Sequence, residues 1–550
     1  MAVEQNLWTL FSAVAAAVPN REAVVFRARR LTFAALADRA ARFASVLRAH
    51  GLGHHRPRAG LAGWEAGQDL VALYLLNGPE YLEAQLGGLA ARTAPFNVNY
   101  RYVAHEVADL LADADAAAVV YHARFAPVLA EALPRLGRAP LLLQVADGSP
   151  HPRLPGAVDY EAALAAAAPE VPEDQSADDL FVLYTGGTTG MPKGVLWRQH
   201  DLWTAVLGGH LHPDGATTDE IVERVVARRP GRVLPNAPLM HGAALWTAVG
   251  ALLSGDTVVI NGVVDRLDPV DVWTTVERER VQHTVFVGEA FARPLLDELE
   301  AGTYDMGSLR SIVVGGAFTS PEAKQRILAQ LPDVRVVDLA ASSETGRMLH
   351  TVAVAGTKPE HGVFTLSPGA AVLDEHRQRR LGPDERAVGW LAKSGPIPLG
   401  YLGDREKTAS TFPVVDGERW VVPGDRARLR SDGSVELLGR DSVTINSAGE
   451  KIFAEEVEAA VLAHPGVRDA VVVGRPNDRW GQEVVAVVEV EPGAAPSDDD
   501  VLAVASTRIA RYKLPKAIVR VGQVRRGPAG KADYAWAHQV ATGGPGHVDG

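Results

Sequence analysis

The 550-residue chain contains no cysteine. That absence excludes a thiol nucleophile, a thiolate-held metal, an iron–sulfur cluster and a disulfide framework. Positive charge is also in short supply: 55 Lys and Arg face 67 Asp and Glu, for a formal net charge of -12. Such a balance argues against an electrostatic grip on nucleic acid or on an anionic membrane surface. Long apolar runs are missing too, since no stretch of about 18 residues escapes a charge, Gly or Pro, and no lipidation box stands at either end. Membrane insertion is therefore not expected. The opening MAVEQNLWTLFSAVAAAVPN starts acidic rather than basic, fits a signal peptide poorly and reads as an amphipathic first helix, so a cytoplasmic protein is expected. What the chain does have is 47% hydrophobic and 22% charged residues, the balance of a globular protein, and enough length for several domains. A small-molecule substrate is the default reading.

Thr32 stands as an N-cap before Leu36, Ala40, Phe43 and Leu47 at helical spacing, with Gly51 as the stop. Short apolar or β-branched runs at 181–184, 256–260, 283–287, 311–314 and 334–339 alternate with helical stretches. Strands alternating with helices imply a mostly parallel α/β sheet whose ligands bind beyond the carboxyl ends of the strands. The texture changes after Arg440. From there the order reads as a short strand, a helix at 455–464, paired strands near 470–473 and 483–490, and a further helix before Tyr512. The fold class is thus α/β, with a large multi-subdomain N-terminal domain over 1–440 and a small α+β C-terminal domain over 441–550. The final GGPGHVDG reads as a frayed tail.

The most informative segment is YTGGTTGMPKG at 184–194, directly after the strand-like FVLY. Thr185, Gly186, Gly187, Thr188, Thr189 and Gly190 allow backbone amides and hydroxyls to wrap phosphate oxygens, and Lys193 supplies a cation. It is not a Walker A loop, because Lys193 follows a proline and precedes a glycine. A flexible turn between strand and helix is the bland alternative, and the density of Thr, Gly and Lys counts against it.

This segment resembles the signature of the adenylate-forming superfamily, which includes acyl-CoA synthetases, peptide-synthetase adenylation domains and firefly-type luciferases. Gly186 stands where that family usually has Ser. The family's other motifs follow in order along nearly the whole chain. ASSETG at 341–346 resembles the segment whose hydroxyls contact phosphate and whose glutamate holds magnesium, which implies Ser342, Ser343 and Glu344, although Ala340 and Ala341 replace the usual aromatic and glycine. Gly315, Gly316 and Ala317 resemble the segment that lets adenine and acyl chain approach the backbone. VVPGDRARL resembles the ribose-binding segment, implying Asp425, with Pro423 in place of Thr. Arg440 matches an arginine reaching ribose or phosphate, and Ser442 falls at the hinge position. SAGEKIFAEEVE resembles the loop and helix that swing in for thioester formation, with Gly449 opening the pantetheine channel. RRGPAGKADY matches the C-terminal motif and implies Lys531 as the catalytic lysine.

The resemblance implies two half-reactions. A carboxylate attacks ATP to give acyl-AMP and pyrophosphate, with charge countered by Lys531, Lys193 and magnesium on Glu344; the small domain then rotates and a thiol, coenzyme A, displaces AMP. His241 in APLMHG matches a position beside the acyl carboxylate, where it orients the acid or is a packed wall residue. No aspartate for an α-amino group occurs at 236–242, and Met240, Trp246, Phe286, Gly288 and Phe291 suggest an apolar pocket for a bulky hydrophobic acid. In detail the motifs look closest to bacterial steroid and fatty-acid CoA ligases. An enzyme that stops at acyl-AMP, leaving the acyl group to a separate thiolation enzyme or an acyl carrier protein, is the open alternative, as is a homodimer.

Overall fold

The computed structural model describes residues 3–185, 192–317, 319–358, 360, 362–447, 450–477, 481–527 and 530–543. The expected helix runs Phe33–Ala49, and the Thr32 hydroxyl accepts from Ala35 N at 3.2 Å. Its buried residues include Leu36, Ala40, Phe43 and Leu47, so the 3.6-residue periodicity is the core-facing stripe.

Six parallel neighbours form the heart of the largest sheet, in the order Glu22–Phe26, Thr257–Ile260, Arg232–Leu234, His283–Phe286, Ser311–Gly315 and Arg335–Ser342. At Ser342 the chain reverses into the antiparallel strand Gly346–Ala353, and the sheet continues through Val363–Leu366, Val435–Arg440, Asp425–Leu429 and Val388–Ser394. A second sheet, Ala94–Asn97, Leu70–Tyr74, Ala118–His122, Leu141–Val145 and Val158–Asp159, is parallel throughout. Its central strands LVALY and AVVYH are buried at every position, as expected where both faces are covered.

Strand Leu180–Thr185 departs from the parallel pattern. It pairs antiparallel with Lys193–Arg198 in a separate three-stranded sheet that Gly400–Tyr401 completes. A parallel partner needs a crossover of about a dozen residues, which the intervening loop is too short to provide. The phosphate-loop candidate therefore joins two strands rather than a strand and a helix.

Beyond Arg440 the strands form their own sheet: Glu450–Phe453, Thr444–Ser447, Gly481–Val490 and Val467–Asn477, with Ala517–Val521 parallel to Gly481–Val490. Helices Ala454–Leu462 and Asp498–Ser506 pack on one face through Val457, Val461 and Val501, and helix Tyr534–Ala541 covers the other through Ala537 and Val540. The chain passes from the larger lobe to this smaller α+β lobe through the short turn Asp441–Val443. No helix among the described residues is long and apolar enough to cross a membrane.

Candidate active site

The reversal after Ser342 creates the most tightly held turn of the site. Thr345 N donates to Ser342 O at 3.2 Å, the Ser342 and Thr345 hydroxyls meet at 3.0 Å, and Glu344 N donates to the Ser342 hydroxyl at 3.3 Å. Three side chains from other strands fix it from outside. Trp197 Nε1 donates to Ser343 O at 2.9 Å, Tyr401 OH donates to Glu344 Oε1 at 3.1 Å, and the buried Lys393 Nζ donates to Thr345 O at 2.9 Å and Arg347 O at 3.1 Å. Burial and the nearby Arg347 hold the Lys393 ammonium down to about 8. With its backbone pinned in this way, the turn presents the Glu344 carboxylate and the Ser343 hydroxyl outward. Among the described residues the Tyr401 phenol alone bonds directly to either group, while Lys531 and Arg440 stand near enough to act on the Glu344 charge.

Asp425 and Arg440 face each other across adjacent antiparallel strands, with Arg440 Nε 3.5 Å from Asp425 Oδ1. Burial pushes the Asp425 carboxyl up, and Arg440 pulls it back. Lys531 comes to this pair from the small lobe. Gly527 N donates to Lys531 O at 2.7 Å, and the turn so formed sits against the large lobe, where a Cβ on Gly530 would lie 3.0 Å from Val287 O. The Lys531 side chain is exposed, yet protein surrounds it closely enough that desolvation and then Arg440 lower its pKa, while Glu344 and Asp425 raise it. It therefore stands among Glu344, Asp425 and Arg440, and its charge is felt as far as His241.

His241 caps helix Gly242–Leu253. Burial first, then Lys531 and Arg101, hold its imidazole down to about 4, and Nε2 is buried without a partner. Leu183 and Trp246 make an apolar wall at the adjacent Gly242, where a Cβ would lie 2.8 Å from Leu183 Cδ2 and 3.7 Å from Trp246 Cδ2. Leu183, Trp246 and Val287 belong to one buried cluster, with Phe291 and Ala317 packed at its edge. Ala317 follows Gly316, whose φ of +76 turns the chain tightly after strand Ser311–Gly315. Met240 is buried, its carbonyl accepting from Asn97 Nδ2 at 2.7 Å, and Gly288 begins helix Gly288–Ala301. Phe286 does not belong to this wall. It packs on Trp273, ring centroids 6.1 Å apart, in the core on the other side of its strand, because successive strand side chains alternate faces.

The structure thus gathers Glu344, Asp425, Arg440, Lys531 and His241 around one cleft. Thr185 ends its strand opposite Lys193, whose Nζ lies 3.1 Å from Asp404 Oδ2. Gly186, Gly187, Thr188, Thr189, Gly190 and Gly449 lie outside the described residues. Trp197, Lys393, Tyr401 and Asp404 escaped the sequence reading. Only Lys393 carried a signal, a charge inside the otherwise apolar strand VGWLAKS. No cluster of three or more His, Asp or Glu suited to a metal occurs among the described residues. A closed metal cage is thus not what these residues offer. One outward carboxylate, Glu344, does suit magnesium, which commonly takes one or two carboxylates and fills its other positions with water and phosphate.

The sequence profile of the AMP-binding enzyme family matches residues 11–402, and that of the AMP-binding enzyme C-terminal domain matches 456–531. The chain is 51% identical over 536 residues to the medium-chain acyl-CoA ligase Mig of Mycobacterium avium, covering 97% of each chain. It is 39% identical over 554 residues to the medium/long-chain-fatty-acid–CoA/3-oxocholest-4-en-26-oate–CoA ligase of Mycobacterium tuberculosis (strain ATCC 25618 / H37Rv), covering 99% of this chain and 98% of that one. Its fold is like that of the anthranilate CoA ligase AuaEII in complex with anthranoyl-AMP, with a TM-score of 0.82 at 19% identity over 98% of this chain and 99% of the other.

Proposed function

The chain belongs to the AMP-binding enzyme family and is an adenylate-forming enzyme of the acyl-CoA synthetase kind, and from that premise we propose that its acid is a medium-chain or bulkier hydrophobic one whose acyl group passes to coenzyme A. The observation that carries the choice of acid is the apolar wall of Leu183 and Trp246, which meet at Gly242 beside a neutral His241. A hydrophobic tail is favoured there and a charged one is not. The relatives' names agree, one being a medium-chain acyl-CoA ligase and the other extending to a sterol side-chain acid.

In the first step the substrate carboxylate attacks the α-phosphorus of ATP and pyrophosphate leaves. Both reactants are anionic, so the residues' work is electrostatic. Lys531 steadies the carboxylate and α-phosphate, Asp425 accepts from the ribose hydroxyls beside Arg440, and Thr185, Lys193 and the 186–190 loop hold the other phosphates. The Ser343 hydroxyl adds a phosphate contact, and His241 orients the carboxylate. Glu344 would hold magnesium, which would supply positive charge against the phosphates. For the second step, the names of the relatives, both of them CoA ligases, support coenzyme A as the acceptor.

A pyrophosphate-exchange screen tests the acid: medium-chain fatty acids or a sterol side-chain acid should exceed acetate by about a hundredfold in kcat/KM. Dominance of acetate or of an amino acid sinks the reading. With coenzyme A present, thioester should appear in step with AMP. Persistent acyl-AMP instead points to a separate thiolation enzyme or an acyl carrier protein. Lys531→Ala should lower exchange by about a hundredfold or more while leaving thioester formation from supplied acyl-AMP in place.

A further inference from the structure

The seam holds a carboxyl that this reaction scheme leaves unused. Glu455 lies in the first turn of helix Ala454–Leu462 of the small lobe, and its Oε1 accepts from Arg440 N, on the last strand of the large sheet, at 3.2 Å. Oε2 is buried without a partner. It lies so close to the large lobe that a Cβ on Gly439 would stand 2.2 Å from it, and Gly439 itself holds φ +115. Any larger residue at 439 would push the carboxyl off the strand.

We propose that Glu455 is a positioning residue for acyl-AMP formation, fastening the small lobe to the Gly439–Arg440 backbone in the arrangement that places Lys531 beside Glu344 and Asp425. The proposal rests on the two-step reading above. Helix Ala454–Leu462 travels with the small lobe and strand Val435–Arg440 with the large one, and only the turn Asp441–Val443 lies between. Rotation there separates Glu455 from Arg440 N, so the contact belongs to one arrangement alone. Among the described residues two ion pairs also cross the seam, Arg293–Glu491 and Arg508–Glu322, each at 3.0 Å. Both involve partly exposed charges, which are worth little; Glu455 supplies the tie with a buried end.

The charge state of the carboxyl is part of this device. Facing it are Asp425 and Arg440 from the large sheet, Glu458 from the next turn of its own helix, and Tyr534 from helix Tyr534–Ala541. Burial above all, with Asp425 adding to it, pushes Glu455 up, against the pull of its own amide, of Arg440 N and of the guanidinium. Once the lobe swings away, water returns to the carboxyl and its ordinary acidity is restored. The fastened arrangement therefore holds a proton that the released one gives up, and rising pH favours release.

Glu455→Ala and Glu455→Gln, compared in pyrophosphate exchange and in thioester formation from supplied acyl-AMP, test this. The alanine variant should lose about tenfold in exchange kcat, with KM for ATP little changed, and keep the thioester step. Glutamine keeps the acceptor for Arg440 N, so it should restore exchange and remove the decline with rising pH that the wild type shows. Alanine exchanging at the wild-type rate overturns the proposal. So does a parallel loss of both steps with a fall in Tm, since that marks a structural role only. If the wild type forms no thioester, the coenzyme A reading fails, while the exchange arm, with Tm and the glutamine rescue, still decides the role of Glu455.

Discussion

His241 shows how a single side chain is set by its surroundings. Its imidazole is held down to about 4 by burial, Lys531 and Arg101, against about 6.5 in an unfolded chain. Between those values the unfolded chain carries the extra proton, so stability is present at neutral pH and is lost as pH falls through 6.5 toward 4. From pH 7 to about 4.5 the wild type should lose roughly 2 kcal/mol more unfolding free energy than His241→Asn, measured by urea unfolding. Equal losses would mean that the histidine is not kept neutral by the fold. At this scale the sequence reading went far where a motif carried it. Glu344, Asp425, Arg440 and Lys531, spread over both lobes, are gathered at one cleft. It stopped where a role depends on contacts from distant strands: nothing local to Trp197 or Tyr401 announces a bond to the turn 342–346.

That turn is the element on which the geometry of Glu344 depends. Lys393 ties its carbonyls from a neighbouring strand, with no carboxylate partner among the described residues. Lys393→Met should keep the packing and the Tm while loosening the turn. The expected signature is a magnesium requirement in exchange raised by about tenfold with a smaller change in kcat, read from a magnesium titration at fixed ATP. An unchanged titration would show that the turn holds its shape without the clamp. Elements were legible where the pattern is local, as in helix Phe33–Ala49 with its Thr32 cap. The antiparallel seat of Leu180–Thr185 was not, because pairing direction depends on where the chain goes next. The seat of Phe286 in the core against Trp273 has a similar cause: a run of apolar residues does not say which face is which.

For the molecule as a whole, the cleft exists only while the lobes meet. The ion pairs Arg293–Glu491 and Arg508–Glu322 span the seam with side chains 22 to 48% exposed. Each is therefore worth at most about 1 kcal/mol. Removing both by Arg293→Ala with Arg508→Ala should lower exchange by no more than about thirtyfold, and half-molar salt should erase most of the difference from the wild type. A loss that salt leaves untouched would assign these arginines a role other than charge. The change of texture after Arg440 was visible in the sequence, and the sheets do divide there. The contacts that join the lobes were not, since they pair residues as far apart as Glu322 and Arg508.

The Trp197 bond to the Ser343 carbonyl has an optical consequence. The same indole meets Trp246 edge-on, ring centroids 6.4 Å apart at 86°. One ring is thus wired to the turn that carries Glu344, and its neighbour stands against Gly242, next to His241. Among ten tryptophans, this pair is the one whose emission should register nucleotide and acid alike, without any dye.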